Sequence, residues 1–306
     1  MRSSIMRIVS MVALPVFLLL SLAYLAGATP TFAKTRLPHS GSGASVFTHI
    51  ATPLNSASDW TDLDSPATNN RPSAVVFVTP NWNPGGSGGV FDNHPLGVWY
   101  HAGKWAIFNQ NQTAIPNGAA FNVYALPGSS TGVFVHTATV ANSAGDWTDI
   151  NYPGINGNAN AQLLVTPNWN PGGNGGIFDN HPIGVWYHAG KWAIFNQDVK
   201  AIPNGAAFNV MVLSGGGGQS FVHTANATNS AADYSDISNR ITDNNPNALV
   251  FITPNWNPGG RGIGVYNNHP IGVWYHGSQW SIFNQDGLAI SNGASFNVLA
   301  VRIRPV

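Results

Sequence analysis

Apolar positions along the chain fall in short runs and alternating stretches, never at helical spacing between helix caps. Residues 74–79, Ala-Val-Val-Phe-Val-Thr, form a continuous apolar run rich in β-branched side chains and stopped by Pro80. That is the signature of a buried strand. Residues 161–166 and 248–253 repeat it. Residues 97–101 and 104–109 flank the two-residue turn Ala102-Gly103, the spacing of a tight hairpin. Gly277-Ser278 makes the same turn later. Residues 120–126 add a closing strand. The pattern predicts about five or six strands per unit.

The hairpin predicts side-chain direction as well. A two-residue turn pairs His101 with Lys104, Tyr100 with Trp105, Trp99 with Ala106, and Val98 with Ile107. Alternation then places Val98, Tyr100, Trp105 and Ile107 on one face, expected to be core. Trp99, His101, Lys104 and Ala106 share the other face. It carries a cation and an imidazole, so it is expected to meet water and to expose Trp99.

The pattern occurs three times. Asn81-Trp82-Asn83-Pro84-Gly85-Gly86 returns at 168–173 and 255–260, a period of 87 residues (81 to 168 to 255). A fixed period of this length means tandem modules. The expected fold class is all-β, as three small antiparallel sandwich or barrel modules of about 87 residues, at 46–127, 133–213 and 220–306. Each is read as a self-contained unit. Joints of about six residues, 127–132 and 214–219, hold neighbours close, as jointed beads or around a pseudo-threefold axis. Ahead of the modules, Arg2 and Arg7 precede an apolar run over 8–25, and small residues follow at 26–28. This reads as a secretory signal peptide over 1–33, then a flexible polar leader over 34–45. The expected location is secreted or extracellular. An apolar run of about 18 residues is near the lower limit for a span, so an uncleaved leader would tether the protein to a membrane.

Composition narrows the partners. Charged residues are 8% of the 306, and every acid is Asp. Without clustered Lys and Arg to neutralise phosphates, nucleic acid is not an expected partner. Cysteine is absent, so no disulfide supports the modules. Their cores must come from apolar packing, to which 11 Trp, 15 Phe and 8 Tyr bring large areas.

Nine of the ten His stand at three repeating positions: His49, His94 and His101, then His136, His181 and His188, then His223, His269 and His276. Imidazole ligates zinc and copper, but the His94 to His101 spacing is no recognised ligand pair. No metal and no cofactor are expected. Asp59-Trp60-Thr61-Asp62, with Asn55 and Ser56 ahead of it, reads as Asx and Ser/Thr turn chemistry rather than as a calcium loop. A glycosidase needs two carboxylates, yet Asp92 and Asp179 give way to Asn267 in the third copy. No Gly-x-Ser-x-Gly elbow is placed to supply a serine nucleophile.

The repeated inventory that remains suits sugars. Aromatic faces stack on pyranose rings, and amides grip hydroxyls without a large desolvation cost. The candidate ligand-binding residues are Asn81, Trp82, Asn83, Trp99 and His101, with Asn168, Trp169, Asn170, Trp186 and His188, and Asn255, Trp256, Asn257, Trp274 and His276. The competing account makes Asn-Trp-Asn-Pro-Gly-Gly a turn anchored by a buried Trp.

The block Thr-Pro-Asn-Trp-Asn-Pro-Gly-Gly, followed by Asn-His-Pro-Ile-Gly-Val-Trp-Tyr-His at 180–188, Trp-Ala-Ile-Phe-Asn-Gln-Asp at 192–198 and Ala-Phe-Asn-Val at 207–210, resembles a repeat domain of unknown function found in exported bacterial proteins. The resemblance covers nearly all of 46–301. It implies an all-β module and a bacterial source, and it supplies no activity and no binding residues. The expected function is non-enzymatic, multivalent, lectin-like recognition of a glycan or other cell-surface polymer. The alternatives are a structural or adhesion spacer and, further off, a metal-dependent hydrolase.

Overall fold

Three sets of seven strands account for the repeat. The computed structural model describes residues 43–213 and 218–303. The expected signal peptide at 1–33 and nearly all of the leader lie outside the described residues; the leader's last residue, Ser45, already belongs to a strand. The first module holds β1 (Ser45–Ile50), β2 (Ser56–Ala57), β3 (Trp60–Asp62), β4 (Val75–Pro80), β5 (Leu96–His101), β6 (Lys104–Asn109) and β7 (Ala120–Leu126). The second holds β8 (Val133–Thr137), β9 (Ser143–Ala144), β10 (Trp147–Ile150), β11 (Gln162–Pro167), β12 (Ile183–His188), β13 (Lys191–Asn196) and β14 (Ala207–Leu213). The third holds β15 (Ser220–Thr224), β16 (Ser230–Ala231), β17 (Tyr234–Ile237), β18 (Ala248–Pro254), β19 (Ile271–His276), β20 (Gln279–Asn284) and β21 (Ser295–Arg302). In the first module β7 lies between β1 and β4 in a three-stranded sheet, while β2-β3-β6-β5 form a four-stranded one. The strand pairings within each module are antiparallel, and the same two sheets recur in each module. The chain is all-β, in three sandwich-like modules.

One difference from the expected elements has a local cause. The stretch around Asp59 is not only a turn: Trp60–Asp62 is strand β3, paired with β6 and with the two-residue β2. Strands of two or three residues are too short to show a period. Their bend is set instead by Asn55, whose Oδ1 accepts the Thr52 amide at 2.7 Å and the Thr61 hydroxyl at 3.1 Å. Seven strands per module therefore replace five or six.

The hairpin register matches the turn argument: His101 faces Lys104 and Val98 faces Ile107. Ala102 and Gly103 have φ of 44° and 81°, the left-handed pair that a two-residue turn requires. Val98, Trp105 and Ile107 join Leu63, Val76, Phe121 and Val123 between the two sheets, with Tyr100 packed against them. The Trp105 indole donates to the Arg71 carbonyl at 2.8 Å.

The modules are not self-contained. A fourth core gathers Val75, Phe77, Tyr124 and Leu126 from the first, Val133, Leu164, Met211 and Leu213 from the second, and Leu249, Phe251 and Leu299 from the third. The three-stranded sheets therefore bury both faces, one in their own sandwich and one against their counterparts. Cyclic hydrogen bonds follow the same order. The Val78 amide donates to Thr166 Oγ1, Val165 to Thr253 and Ile252 to Thr79. Asn122 Nδ2 donates to the Val250 carbonyl, Asn209 to Val76 and Asn297 to Leu163, each within 3.0 Å. The modules thus close a ring around a pseudo-threefold axis rather than hanging as beads.

Candidate functional site

Each Asn-Trp-Asn loop reaches the hairpin of a neighbouring module. The Trp169 amide donates to the Val98 carbonyl at 2.9 Å, as Trp256 does to Val185 and Trp82 to Val273. Asn170 Oδ1 accepts the Tyr100 amide at 2.7 Å, and its Nδ2 donates to the Tyr100 carbonyl at 2.8 Å. Asn257 grips Tyr187 in the same two-point way, and Asn83 grips Tyr275. The outer Asn turns inward: Asn81 Nδ2 meets Asn122 Oδ1 at 2.9 Å, with Asn168–Asn209 and Asn255–Asn297 alike. All six Asn are buried. Asn83, Asn170 and Asn257 commit both amide atoms to a neighbouring module. Asn81, Asn168 and Asn255 commit their Nδ2, and the loops cap edge strands β5, β12 and β19, which would otherwise stand open.

The loop Trp residues build aromatic seams. At the first seam Trp99 stacks on His101 with centroids 4.1 Å apart. Trp60 and Trp169 meet Trp99 edge-on at 5.7 and 5.9 Å, and Phe178 leans on Trp169 at 5.6 Å. The second seam repeats this with Trp186 on His188, Trp147, Trp256 and Tyr266. The third uses Trp274 on His276, Tyr234, Trp82 and Phe91. The expectation that the Trp99 face lies open to water needs correction. Ala106 is buried, and Trp99 is half-covered by the neighbouring module's Trp169. No pattern within one repeat could reveal a cover supplied by the next.

The exposed aromatics are others. Phe91, Phe178 and Tyr266 are 52%, 40% and 46% exposed at the mouths of the seams. Their recurrence just before Asp92, Asp179 and Asn267 was the available sequence signal. At the second seam a cleft of about 200 Å³ is lined by Asp146, Trp147, Trp186, Phe195, Trp256 and Tyr266. Drug-sized ligands fill roughly 300–1,000 Å³, so this cleft suits a smaller molecule. Asp59 and Asp233 stand at the positions equivalent to Asp146.

The matches to family models add kinship. A domain of unknown function (DUF7452) matches residues 37–125, 102–212 and 192–300. The chain belongs to this family. Successive DUF7452 matches overlap across β6–β7 and β13–β14, so the second and third matches each take in the closing strands of the preceding module. No curated protein and no solved structure matches the chain.

The titratable groups of the DUF7452 modules are spread between fold and seam. His49 Nε2 lies 2.7 Å from Thr61 Oγ1, and burial pushes its pKa down to about 4 against the pull of Asp62. His136 and His223 behave alike. Asp62 holds His101 at 2.7 Å and Asp149 holds His188 at 2.8 Å, fixing the imidazoles on their Trp partners. His94, His181 and His269 ring a depression of about 100 Å³ on the axis. Among the described residues no three His or Asp come close enough to share a metal ion. In the third module Ser281, His276 and Asp236 touch, yet His276 Nε2 contacts both the serine and the carboxylate. A relay needs one ring nitrogen for each partner, and Ser281 is buried.

Proposed function

We propose that this chain is an exported, non-enzymatic, multivalent carbohydrate-binding protein whose three aromatic seams each seat one sugar ring. The observation that carries the reading is the exposed aromatic leaning over a half-buried indole, with a carboxylate at the mouth. It stands in the second cleft as Tyr266, Trp256 and Asp146, and its residues recur at the other two seams. An aromatic wall supplies the stacking face and Asp146 accepts from ring hydroxyls. One such contact is weak, but three held rigidly on one ring act together on a polymer. The signal-peptide pattern at 1–33 supports export.

A glycan array followed by calorimetry tests the proposal. The variant F91A/F178A/Y266A should lose binding while its melting temperature stays near wild type. Unchanged binding would remove the clefts from the site. Silence on every glycan would favour a second reading, a structural or adhesion ring. That alternative is supported by the commitment of all three Asn-Trp-Asn loops to module contacts.

A further inference from the structure

Two of the three seams contain a buried acid whose hydrogen bonding does not balance. In the first module Asn109 Nδ2 donates to Asp92 Oδ1 at 2.9 Å, while Asp92 Oδ2 and Asn109 Oδ1 lie sealed from solvent without a partner. The second module repeats this: Asn196 Nδ2 donates to Asp179 Oδ1 at 2.9 Å, and Asp179 Oδ2 and Asn196 Oδ1 are left over. The third module carries Asn267 there and nothing is left over. Asn267 Nδ2 donates to Asn284 Oδ1 at 2.7 Å, and Asn284 Nδ2 returns a bond to Asn267 Oδ1 at 3.3 Å. The third pair shows what the position asks for: a donor where the other two have a carboxyl oxygen. A single proton on the acid supplies it and satisfies both orphaned acceptors.

We propose that Asp92 and Asp179 are held as neutral acids, each donating its carboxyl O–H to Asn109 or Asn196, and that these protons lock two of the three seams. Position makes the acid a seam group. Its side chain is tied to β6 or β13 of its own module, and its backbone is tied to the preceding module in the ring. Gln285 accepts the Asp92 amide at 3.0 Å and donates to its carbonyl at 2.9 Å; Gln110 accepts the Asp179 amide at 3.0 Å. The titratable groups near each acid are few. His94 faces Asp92; His181 and Asp198 face Asp179; among the described residues the neighbouring modules bring the neutral Gln285 and Gln110. Burial pushes both carboxyls up, Asp179 to about 6, against the lowering effects of the asparagine bond and the histidine.

As pH rises, the carboxyl proton passes to water. Two facing acceptors and a buried negative charge remain. The strain falls on the loop carrying Phe91 or Phe178, so those two seams become pH-responsive and the Asn267 seam, which holds the Tyr266 cleft, does not. The coupling to ligand rests on the proposed sugar reading; the lock itself does not.

Thermal melting of wild type, D92N/D179N and N267D from about pH 4 to pH 9 tests the lock. D92N/D179N should melt close to wild type near pH 4 and pull above it as pH rises through about 6. N267D should acquire an added loss over the same range. The carboxyl ¹³C resonance of Asp179 should titrate in that window. A gap that ignores pH, or a double variant less stable at alkaline pH, would mean a charged carboxylate satisfied by water or a cation and would overturn the proposal. Glycan affinity that ignores pH while the melting gap opens would overturn the coupling. Failure to bind any glycan at any pH would sink only the cleft reading, because the lock is read from melting.

Discussion

The backbone amide of Trp82 donates to the carbonyl of Val273 at 2.9 Å, tying the first module to the last. The two other seams have the same bond, so the ring has no free end. A single module cut out of it would bare Val75, Phe77, Tyr124 and Leu126, or their counterparts, on the back of its inner sheet. Fragment 133–213 should therefore be unfolded as a monomer, or should assemble as a trimer that rebuilds the ring. Light scattering with circular dichroism checks this; a folded monomer would contradict it.

Asn170 bridges both backbone groups of Tyr100. Asn170→Ala leaves an amide and a carbonyl without partners in a half-buried seam and should cost about 2 kcal/mol. Asn170→Asp keeps the acceptor but sets a buried carboxylate oxygen against the Tyr100 carbonyl, so at neutral pH its cost should be at least as large. Chemical denaturation of the two variants measures the order.

Gly176 lies flat against the Trp169 indole. A β-carbon there would stand 2.1 Å from ring atoms, closer than any contact allows. Gly176→Ala must displace either the indole or the loop and should destabilise by at least about 2 kcal/mol. Gly89 and Gly264 face Trp82 and Trp256 in the same way. Near-ultraviolet dichroism should show the Trp signal weaken along with stability.

His49, His136 and His223 are buried neutral, with pKa pushed down to about 4 from the ordinary 6.5. A depressed folded pKa gives stability that is present above 6.5 and lost as pH falls through 4. Each shift corresponds to something on the order of 3 kcal/mol. The melting temperature should drop through that acid window, and H49Q/H136Q/H223Q should flatten the drop.

Much of this was legible along the chain. The tight turn at Ala102-Gly103 fixed which residues face one another, and the apolar run at 74–79 announced a strand covered on both sides. The short strand at Trp60–Asp62 was hidden because three residues carry no period. The role of Asn83, Asn170 and Asn257 was hidden for a different reason. An amide that will grip a neighbouring module's backbone looks the same in sequence as one held ready for a ligand.

The sequence by itself determined the longer strands, the register of the hairpin, the threefold repetition and the hairpin side chains that enter each sandwich core. These depend on residues close together or alternating along one repeat. Only the tertiary structure decided that the second face of each inner sheet is covered by the other modules, that Trp99 lies under Trp169, and that Phe91, Phe178 and Tyr266 remain at the surface. Those outcomes depend on contacts between copies. A repeat that is the same three times carries no mark of which copy will lie against which.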